Sequence, residues 1–287
     1  MRIRKKIEVP FTDFIYYFLY RLSIFITLIT LILWSFTYYN NEISPAPMPE
    51  ITITNWEKTI IFQAMSHIWT QSFYDSIVEN IKESKINWYV YFFEWVKPWT
   101  EENTEKFNKA LWVKFDEELY KNFSKLYWVS NQDNNDFLWL VNDLDFNVDL
   151  NLDEIIWYYK ENINASEENI PEDIIPIDIS KQITEVLLEL NEKQLKILVY
   201  INKSILNFLI RSTWIQETLT NNFTNKDLFD VILDKRNEVL ANEIIKSEYN
   251  KIYLTYWLLH FKWVLELLQK DNNNWKIIWE KYYYPIK

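Results

Sequence analysis

The chain has 287 residues, of which 49% are hydrophobic and 25% are charged, and its net charge is −11. This length and composition are typical of one large globular domain. The sequence contains no cysteine, which excludes a disulfide framework and thiolate chemistry. Any metal site must therefore use histidine, carboxylate or carbonyl ligands. The acidic balance argues against nucleic acid as a partner.

The N-terminal segment is predicted to anchor the chain in a membrane. Residues 1–41 carry five basic and two acidic side chains, whereas the remainder carries 25 basic and 39 acidic ones. The uncharged run Leu22–Tyr39 has 18 residues, close to the ~20 that span a bilayer. The positive-inside rule places the N-terminus in the cytoplasm and the main domain outside. A cleaved signal peptide is the alternative, which the long apolar run and the lack of an A-x-A site disfavour.

Three segments follow from this pattern. Residues 1–41 form the basic N-terminus and a transmembrane helix, and the proline-rich residues 42–50 form a short stiff tether. Residues 51–287 form one domain in which predicted strands alternate with helices. That alternation indicates an α/β fold with a mainly parallel central sheet and flanking helices.

The elements of this domain are predicted from their hydrophobic periodicity. Strands are expected at 51–54, 58–63, 88–93, 250–256 and 276–282. Helices are expected at 72–82, 101–111, 116–126, 178–210, 226–246 and 261–269, and residues 143–154 are expected to be an acidic loop. The segment 178–210, as one or two helices, carries too many charges for a second membrane span, so packing or homodimerisation is favoured.

Glycine is absent, although average usage of ~7% would give about 20, and there are 15 tryptophans. Several tryptophans stand in turn contexts, such as TNWEK, INWYV, KPWT and NNNWK. One interpretation is a tryptophan-rich surface for carbohydrate or membrane. The other is recoding: some bacterial lineages read UGA as glycine, and translating such a gene with UGA as tryptophan replaces those glycines.

Two histidines and one glutamate follow predicted strands. His67 comes after the strand 58–63, His260 comes after the strand 250–256, and Glu94 directly follows Phe93 at the end of another strand. The carboxyl ends of strands form the ligand-binding edge of an open α/β sheet. Two imidazoles and a carboxylate are a ligand set for a divalent metal with open positions. The alternative is that both histidines are hydrogen-bonded structural residues at strand ends.

Arg236 lies on the apolar stripe of its predicted helix. A guanidinium on a buried face needs an anionic partner. That partner is either an acidic ligand or a carboxylate in a structural ion pair.

Four short motifs resemble those of the TIKI/TraB/PrgY/GumN superfamily, which is similar to the erythromycin-esterase-like and ChaN-like fold group. They are AMSH (64–67), FFEW (92–95), RN (236–237) and WLLH (257–260). Members of the superfamily carry two G-x-x-H motifs, a strand-end glutamate between them and a basic position before the second motif. Ala64 and Trp257 stand where the family has glycine, and Trp257 would crowd the backbone beside a metal ligand.

The resemblance implies a membrane-associated, metal-dependent hydrolase acting on a peptide or small-molecule substrate. Its metal, Mn, Co or Zn, would be held by His67, Glu94 and His260. Glu94 and Arg236 would be catalytic, and the supporting residues would be Ser66, Asn237 and Asp149. The alternative is a non-catalytic member that binds a peptide, haem or a metal.

Overall fold

A computed structural model describes residues 11–66, 68–94, 100–114, 116–131, 137–162, 175–212, 215, 228 and 230–286. A six-stranded sheet forms the body, in the spatial order β6-β4-β7-β2-β1-β8. Its strands are β1 (Met48–Thr54), β2 (Thr59–Met65), β4 (Val90–Phe93), β6 (Phe146–Asn147), β7 (Lys251–Trp257) and β8 (Lys276–Tyr283). The short strands β3 (Ile68–Trp69) and β5 (Ser130–Asn131) pair separately.

The described residues also form α-helices. They are α1 (Phe11–Tyr38), α2 (Gln71–Ile86), α3 (Glu101–Leu111), α4 (Glu117–Tyr127), α5 (Leu152–Asn162), α6 (Ile179–Glu189), α7 (Glu192–Arg211), α8 (Arg236–Lys246) and α9 (Phe261–Asp271). Two π-helical segments, Tyr39–Ile43 and Val231–Lys235, and the 3-10 turn Leu258–His260 complete the order.

The prediction of an α/β fold with a mostly parallel sheet is confirmed, and the sheet is mixed. β6, β4, β7 and β2 run parallel to one another, whereas β1 is antiparallel to both β2 and β8. β4 is buried along its whole length, as its continuous apolar sequence predicts for a strand covered on both faces. The central strands therefore share one carboxyl edge.

Several predicted boundaries change in the structure. The expected tether is not a separate linker, because Met48–Thr54 is already strand β1 and the backbone N–H of Ala46 donates to Asn207 Oδ1 at 2.7 Å. The expected acidic loop contains β6 and runs into α5, which was not predicted. The segment 178–210 forms two helices, and a capping box at Asn191 starts the second.

The helix α1 is long and apolar enough to cross a membrane, and its span is not buried against the rest of the protein. Among the described residues, contacts with α1 are confined to its C-terminal end. Trp34 and Phe36 contact Tyr200 and Phe208 of α7, with ring centroids 6.1 and 5.4 Å apart. Arg211 at the end of α7 donates to Asn40 Oδ1 and Ser44 Oγ.

Tryptophan occupies every positive-φ position among the described residues: Trp56, Trp88, Trp112 and Trp128. The last three follow α2, α3 and α4. In each case the tryptophan N–H and the N–H after it bond to the final carbonyls of the helix, as in a Schellman motif. This position strongly favours glycine, since a side chain in the left-handed region costs roughly 1–2 kcal/mol.

Trp56 lies in the turn between β1 and β2, with φ of 78° and a side chain that is 73% exposed. Trp69 and Trp275 are different. They are buried to 3% and 2% exposure and do not have positive φ, so Trp275 is a core residue although NNNWK resembles a turn sequence. The tryptophans therefore fall into at least two structural classes.

Replacing Trp112 or Trp128 with glycine is expected to raise the free energy of unfolding by about 1 kcal/mol, because left-handed strain is removed and little packing is lost. Urea unfolding of the full chain in detergent measures it. The control Trp275→Gly removes a buried ring and is expected to cost about 3–5 kcal/mol. Equal destabilisation by all three variants would contradict this division.

Candidate functional site

The candidate site lies at the carboxyl edge of the parallel strands. Glu94 follows β4, and β7 leads through the 3-10 turn to His260. Phe93 pairs with Thr255 and Met65 pairs with Trp257, so β4, β7 and β2 end close together. Parallel pairing thus brings residues distant in sequence to one edge.

Arg236 connects two carboxylates at this edge. Its Nε donates to Asp149 Oδ1 at 2.6 Å, and its Nη2 donates to Glu94 Oε1. The second oxygen of Glu94 accepts the backbone N–H of Trp257 at 2.6 Å. Arg236 and Asp149 are buried, and the guanidinium also lies 5.4 Å from the ring centre of Tyr256. A structural ion pair therefore satisfies Arg236 within the protein.

Local structure explains how Arg236 reaches this position. It is the first residue of α8, directly after the π-helical segment Val231–Lys235. A π-helical turn rotates the residues that follow it relative to the preceding helix. Asp149 comes from the stretch between β6 and α5, so three separate elements supply the three charges.

His260 is fully buried beside this cluster. Its Nδ1 lies 2.7 Å from Asn237 Oδ1, and the amide oxygen can only accept a hydrogen bond. With the Asn237 amide in this orientation, the proton is on Nδ1 and Nε2 carries a lone pair. Among the described residues this Nε2 has no hydrogen-bond partner, and neither does Asp149 Oδ2. The ring packs edge-on to Tyr256, with centroids 4.7 Å apart.

Burial sets the protonation states here. Burial and then the charge of Arg236 lower the pKa of His260 to about 3, so its imidazole is neutral at pH 7. Burial raises the pKa of Asp149 to about 6, against the opposing effect of Arg236, and the charge of Glu94 adds to the rise. Asp149 thus ionises close to neutral pH while it remains bonded to the guanidinium.

The structure brings five of the predicted site residues into one cluster: Glu94, Asp149, Arg236, Asn237 and His260. Ser66 follows β2, where its carbonyl accepts from Tyr74 at 3.0 Å. His67 lies outside the described residues. Trp257 places its indole 5.8 Å from the His260 ring and has φ of −59°, which any residue adopts.

Tyr256 was not identified from the sequence as a site residue. Its hydroxyl donates to Asp149 Oδ1 at 3.3 Å, while its ring contacts both Arg236 and His260. The sequence feature that could have identified Tyr256 was its position in strand β7, four residues before His260. Strand alternation alone does not say that this face meets the ion pair.

Comparisons of the chain with protein-family models, with curated proteins and with solved structures find no match.

Replacing Arg236 with methionine is expected to cost about 3–5 kcal/mol of unfolding free energy at pH 8, because two buried carboxylates lose their cation. The loss should be smaller at pH 5. The pKa of Asp149 is already raised to about 6 and rises further without Arg236, so the folded variant takes up protons as the pH falls. Urea unfolding at both pH values measures the difference.

Lys235→Met is the matched control, since Lys235 pairs with a half-exposed Glu238 on the surface. We expect a loss of less than about 1 kcal/mol at either pH. An Arg236→Met loss that is no larger than this, or that is greater at pH 5 than at pH 8, would contradict the assignment.

Proposed function

We propose that this chain is a membrane-anchored hydrolase of the TIKI/TraB/PrgY/GumN type that acts on a peptide or a related amide or ester with a divalent metal ion. The observation that carries the proposal is His260. It is a buried, neutral imidazole whose Nδ1 is fixed by Asn237 and whose Nε2 has no partner in the described part of the chain. Metal-binding histidines are commonly oriented in this way.

The donor set fits a divalent ion in part. Within the part of the chain that the structure describes, His260 Nε2 has no hydrogen-bond partner, and an imidazole nitrogen suits Mn, Co or Zn. Glu94 already accepts hydrogen bonds from Arg236 and Trp257, one on each of its two oxygens. No group of three such donors occurs within the described ranges, which exclude His67. His67 is therefore the further ligand that the sequence offers.

When bound, a divalent ion would polarise the substrate carbonyl and lower the pKa of a water molecule. The residues of the chain supply the rest. Asp149, with a pKa of about 6, is the best-placed general base at neutral pH, because such groups work best near the ambient pH. Arg236 orients Asp149 and Glu94 through its two ion pairs, which makes it a positioning residue.

The membrane anchor is part of this proposal. We assign α1 as a single span, because it is 28 residues long, apolar and unburied along its span. The basic residues before it favour a cytoplasmic N-terminus and an extracytoplasmic domain. The substrate would then be met outside the cytoplasm.

We also infer that some of the printed tryptophans are glycines in the protein as its own cell makes it. The four positive-φ tryptophans support this, since glycine adopts that conformation without strain. At Trp257 a glycine would remove the indole beside His260 and open space at the site.

Peptide mass spectrometry of the protein purified from its own cells tests the recoding. We expect glycine at residues 56, 88, 112 and 128, and tryptophan is allowed at the buried positions 69 and 275. Tryptophan at all four positive-φ positions would refute the inference, and TGG codons there would do the same.

Hydrolysis of a peptide library by the full chain, with and without glycine at residue 257, tests the activity. We expect turnover that needs added Mn²⁺, Co²⁺ or Zn²⁺ and that falls about 10²–10⁴-fold in Asp149→Asn. His260→Gln should weaken metal binding. Asp271→Asn is the control because Asp271 is an exposed carboxylate far along α9.

Metal-independent turnover that survives both site substitutions would refute the mechanism. Tight binding of a peptide, haem or metal with no turnover would instead identify the non-catalytic member of the superfamily.

A further inference from the structure

The helix α7 carries an exposed apolar stripe beside the end of α1. Ile197, Ile201 and Ile205 are 62%, 36% and 41% exposed. They are four residues apart and therefore lie on one face of the helix. Such a stripe on a helix that is otherwise packed on the protein needs a partner, because exposed apolar rows on soluble surfaces mark binding sites.

The contacts of α7 fix the level of this stripe relative to α1. Tyr200 contacts Trp34, and Phe208, which shares the face of Ile197 and Ile201, contacts Phe36. Both α1 residues lie inside the uncharged run that ends at Tyr39. At 1.5 Å per residue, Trp34 is about 7 Å from that end. A helix packed on Trp34 must therefore reach the depth of the bilayer surface.

Hydrogen bonds between α7 and the residues that follow α1 hold α7 at that level. Asn41 Nδ2 donates to the carbonyl of Tyr200 at 2.8 Å, and Asn207 Nδ2 donates to Asn41 Oδ1 at 3.2 Å. Arg211 donates to Asn40 and Ser44. These contacts join the C-terminal half of α7 to the residues that follow α1. The two helices therefore cannot move independently without breaking these hydrogen bonds.

The side of α7 that faces away from this stripe packs on the protein through Val199, Leu206 and Ile210, and exposed charged residues lie beside that packed side. Lys196 is exposed and pairs with Glu192 at 2.6 Å. An exposed apolar stripe on a helix that also carries exposed charged residues is the pattern of a helix that lies in the membrane interface. Its charged residues also explain why α7 is unsuited to crossing the membrane.

We propose that α7 lies in the outer interface of the bilayer, with Ile197, Ile201 and Ile205 inserted among the lipid chains beside α1. This placement rests on the membrane span assigned under the proposed function. The partner is the lipid bilayer itself. α1 and α7 together fix the orientation of the domain, so the carboxyl edge of the sheet is held at a defined height above the membrane.

The absence of cysteine makes this testable with single-cysteine variants of the full chain. Ile201→Cys, Lys196→Cys and Ile29→Cys are labelled with the fluorophore NBD and reconstituted into phosphatidylcholine–phosphatidylglycerol vesicles. We expect blue-shifted emission and strong quenching by nitroxide-labelled lipid at residues 29 and 201. Residue 196, beside the packed side of α7, should show neither.

The outcomes separate the two proposals. Quenching at residue 29 without quenching at residue 201 overturns the placement of α7 and leaves the span intact. No quenching at either residue overturns both. A residue 201 label that ignores lipid quencher but changes emission when excess unlabelled chain is added identifies a second copy as the partner, which also overturns the placement. None of these readouts depends on hydrolase activity.

Discussion

The buried ion pair of Arg236 with Glu94 and Asp149 constrains the whole carboxyl edge of the sheet. Removing three charges from water is costly, and that cost is offset only when the geometry of all three is satisfied together. The partners come from the end of β4, the stretch before α5 and the start of α8. A shift of any of these elements would leave a buried charge without a partner, so the ion pair fixes their register.

The same constraint extends to His260. Asn237 is the neighbour of Arg236 on α8, and it holds His260 through its side-chain oxygen. Tyr256 closes the arrangement by contacting Asp149, Arg236 and His260. The start of α8 therefore positions both the cation of the ion pair and the imidazole of His260.

Local sequence patterns predicted most of the elements and part of this site. Glu94 and His260 were recognisable because strands end just before them, and Arg236 because a cation on an apolar stripe needs a partner. The short turn between β1 and β2 makes these two strands antiparallel, but the pairing of β1 with β8, more than 200 residues away, cannot be read from periodicity. Helix α5 was missed because Asp153 and Glu154 resemble a loop, whereas acidic residues in a first turn stabilise a helix.

The position of β7 has a consequence for how the chain acquires its structure. β7 lies between β4 and β2, yet it is made of residues 251–257, after most of the chain has been synthesised. β2 and β4 thus have no neighbour on the side that joins them until then, and β1 waits still longer for β8. Contacts between such distant segments slow folding. The sheet can be completed only after nearly the whole domain has left the ribosome. Until then its unpaired strand edges need protection from aggregation.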